Sequence, residues 1–398
     1  MPQLSLEAVH DTLFAWCRQH NFAGHDPFDA LNSRLFQATP LSRFRTPRLL
    51  FTQLTKRSPL SLRAVTRVPP QKNAKGMALF ALAALADHRR NATVETELIT
   101  RELLSELLRL KIKGYAGAAW GYNFDWQSRN FFAPHGTPTI VPTAFAARAL
   151  IEAFDAFHDQ QYLEVARSIC DFILKDLNRP VDTGEELCFS YSPNDDTRIF
   201  NASLFAAETL AAVGARTNET SYCELAIRAA RFVIRHQNKD GSWTYGTGEQ
   251  QQWIDNFHTA YVLSSLFRIG KGCYTDDAEI MKALGDGYDF WSKSFFLADG
   301  WPKYYHDQLH PADSHAAATA IVTLTELREL DDGALPLAEK IAAWTIDNLR
   351  DASGYFYYQR RRLFTVRTPF MRWTQAWMVY ALARLLEEKQ RLKGNADS

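Results

Sequence analysis

No sign of charge is in excess in this sequence. Lys+Arg is 45 and Asp+Glu is 45 over 398 residues, for a formal net charge of zero. That excludes a globally basic nucleic-acid binder and leaves room only for a local basic surface. No run of 18 apolar residues occurs, so no transmembrane helix is expected. The opening MPQLSLEAVHD has neither a basic nor an apolar leader region, so no signal peptide is expected. Cysteine is sparse. Cys17, Cys170, Cys188, Cys223 and Cys273 are odd in number, far apart and without a CxxC or zinc pattern, which points to a reduced, cytoplasmic compartment. G-x-G-x-x-G after a strand, Walker A, G-x-S-x-G and H-E-x-x-H are missing as well. No cofactor is expected. Aromatic residues, in contrast, make up 13% of the chain, with 10 Trp and 15 Tyr. Such rings fill cores, and they also line sites for sugars and other flat-faced ligands.

The chain is organised by a repeat. An apolar, small-residue octet reads ALFALAAL from Ala78, TAFAARAL from Thr143, SLFAAETL from Ser203, TAYVLSSL from Thr259, AATAIVTL from Ala317 and QAWMVYAL from Gln375. Each predicts a helix covered on most sides. Between octets lie stretches with mixed polar and apolar helical spacing, such as those from Val94, Tyr222 and Pro336, which predict outer helices with one wet face. Asp240-Gly241, Asp299-Gly300 and Ser353-Gly354 then read as helix C-caps, each followed by an aromatic that can pack back. LEAVHDTLFAWCRQ, from Leu6, supplies a sixth outer helix. Six inner and six outer helices predict an all-α fold, an (α/α)6 toroid; the alternative is an open solenoid.

The expected division is residues 1–20 as the closing outer helix, 21–75 as a basic Pro-containing arm, and 76–398 as the toroid, within a single domain. From Ala30 to Lys75 there are ten basic residues and no acidic one. The arm reads either as solvated or as a surface for an anion: a uronate polymer, a lipid-linked glycan or the inner face of a membrane.

In such a ring, the segments just before the octets gather at one mouth, where helix N-termini favour anions. Asp125 is a candidate acid or base beside the stacking Trp126, with Arg129 nearby, or else a cap or salt-bridge partner. Asp255, Asn256 and His258 open an inner helix. His258 is a candidate acid–base group, and Asp255 and Asn256 are also cap candidates. Tyr304, Tyr305, His306, His310, Asp313 and His315 form the densest cluster. Its spacing invites a metal, but Pro302 and Pro311 break a continuous helix through it, and no metal is expected. Arg372 and Trp373, with Tyr191, Asn201, Trp253 and Trp301 from other approach segments, complete the expected binding set.

QNKDGSW (Gln237 to Trp243) resembles the Q-x-x-D-G-x-W repeat of terpene cyclases, whose acid motifs are missing here, as is the zinc set of protein prenyltransferases. DPFDALNS (from Asp26), KRSPLSLR (from Lys56), WGYNFDWQSR (from Trp120) and WIDNFHTAYVLSSL (from Trp253) resemble the six-hairpin glycosidase-like proteins of bacterial exopolysaccharide clusters. That resemblance spans nearly the whole chain and implies polysaccharide biosynthesis or modification. IFNASL (from Ile199) and DNFHT (from Asp255) are similar to the helical domain of glucuronyl C5-epimerases.

Three mechanisms follow. In the first, an anionic, uronate-containing glycan loses its C5 proton: Arg and His neutralise the carboxylate, a Tyr or His on each face exchanges the proton, and His258, Tyr304, Tyr305 and Arg372 are the residues expected to carry the reaction. In the second, Asp125 and Asp255 are the carboxylate pair of an inverting glycosidase. In the third, the toroid binds glycans without turnover as part of a polysaccharide assembly.

Overall fold

In a computed structural model, residues 5–127, 132–273 and 277–396 are described. The chain opens with α1 (Leu6–Gln19), then two helices of the basic segment, α2 (Arg34–Gln37) and α3 (Arg45–Arg57). Helices then alternate: α4 (Ala74–Arg90), α5 (Val94–Arg109), α6 (Ile140–Phe157), α7 (Gln160–Lys175), α8 (Phe200–Thr217), α9 (Thr220–Ile234), α10 (Asn256–Gly272), α11 (Ala278–Phe295), α12 (Ser314–Glu326), α13 (Ala334–Leu349) and α14 (Trp377–Ala396).

The octets lie in α4, α6, α8, α10, α12 and α14. Ala is the best helix former, and its small side chain lets neighbouring helices approach closely. These six helices contact one another in sequence, and α14 returns to α4, so the inner ring is closed. Outer helices α5, α7, α9, α11 and α13 each pack on the inner helix they follow, while α1 packs on α14. The fold is an all-α (α/α)6 toroid. Antiparallel two-residue strands tie its loops: β1 (Trp126–Gln127) to β2 (Phe132–Ala133), β3 (Val181–Asp182) to β4 (Leu187–Cys188), and β5 (Ala312–Asp313) to β6 (Gln359–Arg360) to β7 (Thr365–Val366).

The glycine signals act differently from the expected C-caps. α9, α11 and α13 end five or more residues before Gly241, Gly300 and Gly354. These glycines sit in turns at φ +90°, +92° and +105°, where a side chain is strained. Each turn presses on the next outer helix. A methyl at Gly241 would lie 2.3 Å from Asp286 O in α11, and one at Gly300 2.4 Å from Lys340 O in α13. At Gly354 it would meet Thr12 of α1, so the last turn closes the ring by the same contact. The following aromatic can pack back as expected: Trp243 Nε1 donates to Val233 O at the end of α9.

The third residue of four octets, Phe145, Phe205, Tyr261 and Trp377, brings aromatic rings into mutual contact at the ring centre. Tyr261 of this cluster, with Lys75 lying over it and over Phe145 and Trp377, forms the floor of the upper cavity. On the far side of the cluster Arg148 stacks on Phe145 and Phe205 and donates to both oxygens of the buried Glu208 at 2.5 and 2.8 Å, and Ser265 Oγ donates to Glu208 at 2.7 Å.

The basic segment is pinned to the ring. Arg63 is fully buried and donates to Asp29 Oδ1, Thr55 O and Asp26 O. Asp26 in turn accepts from Arg372 Nε and Nη2 at 2.5 and 2.8 Å. α3 lies over the mouth with Leu49, Thr52, Gln53 and Lys56 turned inward, one face of a helix at its i, i+3, i+4, i+7 spacing.

Candidate functional site

Above the aromatic floor is a cavity of about 650 Å³. It takes residues from the approach segments of every inner helix and is roofed by α3. Of the residues singled out in the sequence, Trp126, Tyr191, Asn201, Trp253, Asp255, His258, Tyr304, Tyr305, His306, His315, Arg372 and Trp373 line it.

Asp255 is the N-cap of α10 and more than a cap. Its Oδ1 accepts from His258 N at 2.9 Å, which fixes the first turn. Its Oδ2 accepts from Trp253 Nε1 at 2.9 Å and from His258 Nδ1 at 2.7 Å. A carboxylate on Nδ1 keeps a proton on that nitrogen and fixes the ring's orientation, and His258 lines the cavity. Tyr245 packs on the imidazole with ring centroids 4.4 Å apart, and Trp253 stacks on Tyr245 at 4.5 Å.

His315 is buried and differently held. Its Nδ1 donates to Trp373 O at 3.1 Å, since a carbonyl only accepts, so Nε2 accepts from Tyr261 Oη at 2.8 Å. Lys75 Nζ donates to the same Oη at 3.2 Å and lies over the rings of Phe145, Tyr261 and Trp377. Burial, then the charges of Lys75 and Arg372, hold the His315 pKa well below its usual value, so the ring stays neutral. Burial, then Arg372 and Arg148, likewise lowers Lys75. Burial raises the Tyr245, Tyr261 and Tyr304 phenols, so all three keep their protons at neutral pH.

Lys56 reaches in from the roof. Its ammonium lies 4.1 Å from the Phe28 ring centroid and 5.7 Å from that of Trp373. Burial lowers its pKa to about 8, against the opposing pull of Asp313. It remains mainly a cation at neutral pH. Asp313, the N-cap of α12, is pushed up to about 6 by burial, opposed by hydrogen bonds from Gln359 and the His315 backbone.

The remaining expectations are placed elsewhere. Asp125 lies outside the cavity and accepts from His135 N at 2.7 Å, holding the β1–β2 hairpin. Asn256 is fully buried, donating to Lys303 O and accepting from Trp291 Nε1, so it ties α10 to α11. Trp301 donates to Leu309 O and packs on Trp344, away from the cavity. Arg372 borders the cavity, but its fork is occupied by Asp26, so it cannot grip a ligand carboxylate bidentately. Arg129 lies outside the described residues. Among those described, no group of three or more His, Cys, Asp or Glu could hold a metal ion, and the His306–His310–His315 spacing does not bring one together. Reasoning from sequence passed over Lys56, Lys75, Tyr245 and Tyr261 as site residues. A signal for Lys75 was present: it stands three residues before its octet, as Arg372 does before the last one.

No protein-family model and no curated protein matches the chain. Solved structures do. A cellobiose 2-epimerase from Bacillus thermoamylovorans has a TM-score of 0.63 at 12% identity, covering 81% of this chain and 90% of that one. A GH76 α-mannanase from Bacteroides thetaiotaomicron has 0.64 at 13%, covering 82% and 90%. An unsaturated glucuronyl hydrolase specific for heparin has 0.58 at 13%, covering 80% and 86%. At these identities the likeness is one of fold, the (α/α)6 toroid.

Proposed function

We propose that the protein is a carbohydrate-active enzyme that abstracts the C5 proton of a uronate residue in a bacterial surface polysaccharide or its precursor, leading to epimerisation or elimination. The observation that carries this is the Asp255–His258 pair, with Nδ1 held 2.7 Å from the carboxylate on the wall of an aromatic-lined cavity of about 650 Å³. His258 takes the C5 proton. The Lys56 cation then faces charge building on the substrate carboxylate, in a roofed site where such an interaction is strong. Tyr304, a protonated phenol that also lines the cavity, returns a proton to the opposite face of C5 in epimerisation. In elimination the C4 substituent leaves instead. Trp253, Tyr245 and Trp126 offer faces for sugar rings.

Occurrence of the fold in an epimerase, a mannanase and a glucuronyl hydrolase supports carbohydrate as the substrate class. Inverting hydrolysis needs two carboxylates facing the scissile bond. Asp125 is not in the cavity, and Asp255 is engaged by three donors. The test is incubation with uronate oligosaccharides in deuterated water. Deuterium at C5 or an unsaturated uronate supports the reading. New reducing ends without either overturn it, and so does full turnover by His258→Gln.

A further inference from the structure

The inward face of α3 serves the cavity, and a second face, with Phe51 stacked on Phe36 at 4.4 Å and Thr55 buried, packs within the basic segment. The third face carries Leu50 and Leu54, one turn apart, and among the described residues nothing covers them. We propose that this outer surface of the α2–α3 segment docks on an anionic lipid bilayer. The proposal goes beyond the reaction proposed above and does not depend on it.

Two independent properties converge there. The first is apolar. Phe44, Leu50, Leu54, Leu60 and Val65 are each at least 60% exposed, a density of bare large side chains that water does not favour over a short stretch. The second is charge. Residues 30–75 hold ten basic side chains and no acidic one, while the chain as a whole is neutral. Some of these cations are consumed inside: Arg63 and Lys75 are buried, and Lys72 pairs with Glu106. Arg57 borders the cavity, and Arg34, Arg43 and Arg67 remain exposed on the segment. The acid excess therefore lies in the rest of the molecule, so an anionic plane attracts this segment and repels the remainder. Leu and Phe side chains interspersed with guanidinium groups are the composition that inserts at the headgroup boundary. A protein partner would also cover apolar surface, but the uncompensated positive charge selects a negatively charged one, and a second copy would bring the same charge to itself.

The experiment uses the full chain in flotation with vesicles of phosphatidylcholine alone and of equal parts phosphatidylcholine and phosphatidylglycerol. Binding is expected to the mixed vesicles only, and to weaken as salt is raised. Leu50→Glu with Leu54→Glu should lower the bound-to-free ratio at least about tenfold, with the circular dichroism spectrum and thermal midpoint unchanged because both side chains already face water. Arg34→Gln with Arg43→Gln should lower it severalfold. Absence of binding to the mixed vesicles, or binding that the Leu variant does not change, overturns the proposal. Sedimentation velocity without lipid tests the other occupant: a dimer abolished by the Leu variant, with no vesicle binding, assigns the face to a second copy and likewise overturns it.

Discussion

Lys56 sets binding against stability. Its pKa is depressed to about 8 from an unfolded value of 10.5, so the folded state is penalised wherever the amine is charged in both states, below about pH 8. The penalty fades as pH rises from 8 towards 10.5. Lys56→Met should therefore raise the thermal midpoint at pH 7, and the gain should shrink in scans above pH 8. The same variant should raise KM for an anionic glycan about tenfold, the worth of one charge-assisted contact, and leave a neutral analogue unaffected. For the wild type, affinity for the anion should fall as pH passes through 8. At His258, replacement by Gln should lower turnover at least about a hundredfold, and Asp255→Asn should lower it as well, because the ring orientation and tautomer are no longer held. A rate unchanged in Asp255→Asn would reduce Asp255 to a cap. These two residues were singled out beforehand from their place at the start of an inner, octet-bearing helix. Lys56 was not. Only the folding of α3 over the mouth turns Lys56 inward, and helical spacing of basic residues alone does not say what lies beneath them.

At the scale of elements, turn glycines and cross-ring ion pairs hold the hairpins. Gly241→Ala should cost about 2 kcal/mol or more, since the methyl meets the Asp286 carbonyl and φ is +90°. Gly285→Ala, in the exposed interior of α11 with open space around it, should stabilise by about 1 kcal/mol. Chemical denaturation compares the two, and equal effects would refute the packing account. Glu208→Ala should cost about 3 kcal/mol or more by leaving Arg148 buried and unpaired. The helices themselves were readable from the octets because burial on all sides leaves a compositional mark. The third octet position, occupied by Phe145, Phe205, Tyr261 and Trp377 in four of the copies, carried the central aromatic cluster in plain view. It was passed over because an aromatic in a buried helix reads as core until the neighbours that meet it are known. The turn glycines were visible too, but as caps, since their true contacts are with a helix some 40 residues further on.

At the scale of the molecule, closure is the property that separates this fold from a solenoid. An open array frays from its ends, whereas a ring has no end to fray. Leu13→Asp, which puts a charge into the buried face of α1, should therefore lower one cooperative unfolding transition as a whole, with hydrogen exchange rising in α4 and α14 together. Exchange confined to α1 would show that the ring closes without it. The six-fold count was available from the repeat. That the basic segment would form a roof was not, because its anchors are Asp26 to Arg372 and Arg63 to Asp29, and the first of these spans 346 positions.

The pairing of α1 with α14 has a temporal meaning. A ribosome makes α1 first and α14 last, so the earliest helix stays without its mate until the final one has been made. Until then the Ala-rich faces of α4 and its neighbours lack one flank and the roof has no Arg372 to hold it. Native cavity geometry is thus a late event in biogenesis, and a stalled or truncated chain is expected to present sticky, aggregation-prone intermediates in place of a partly formed site.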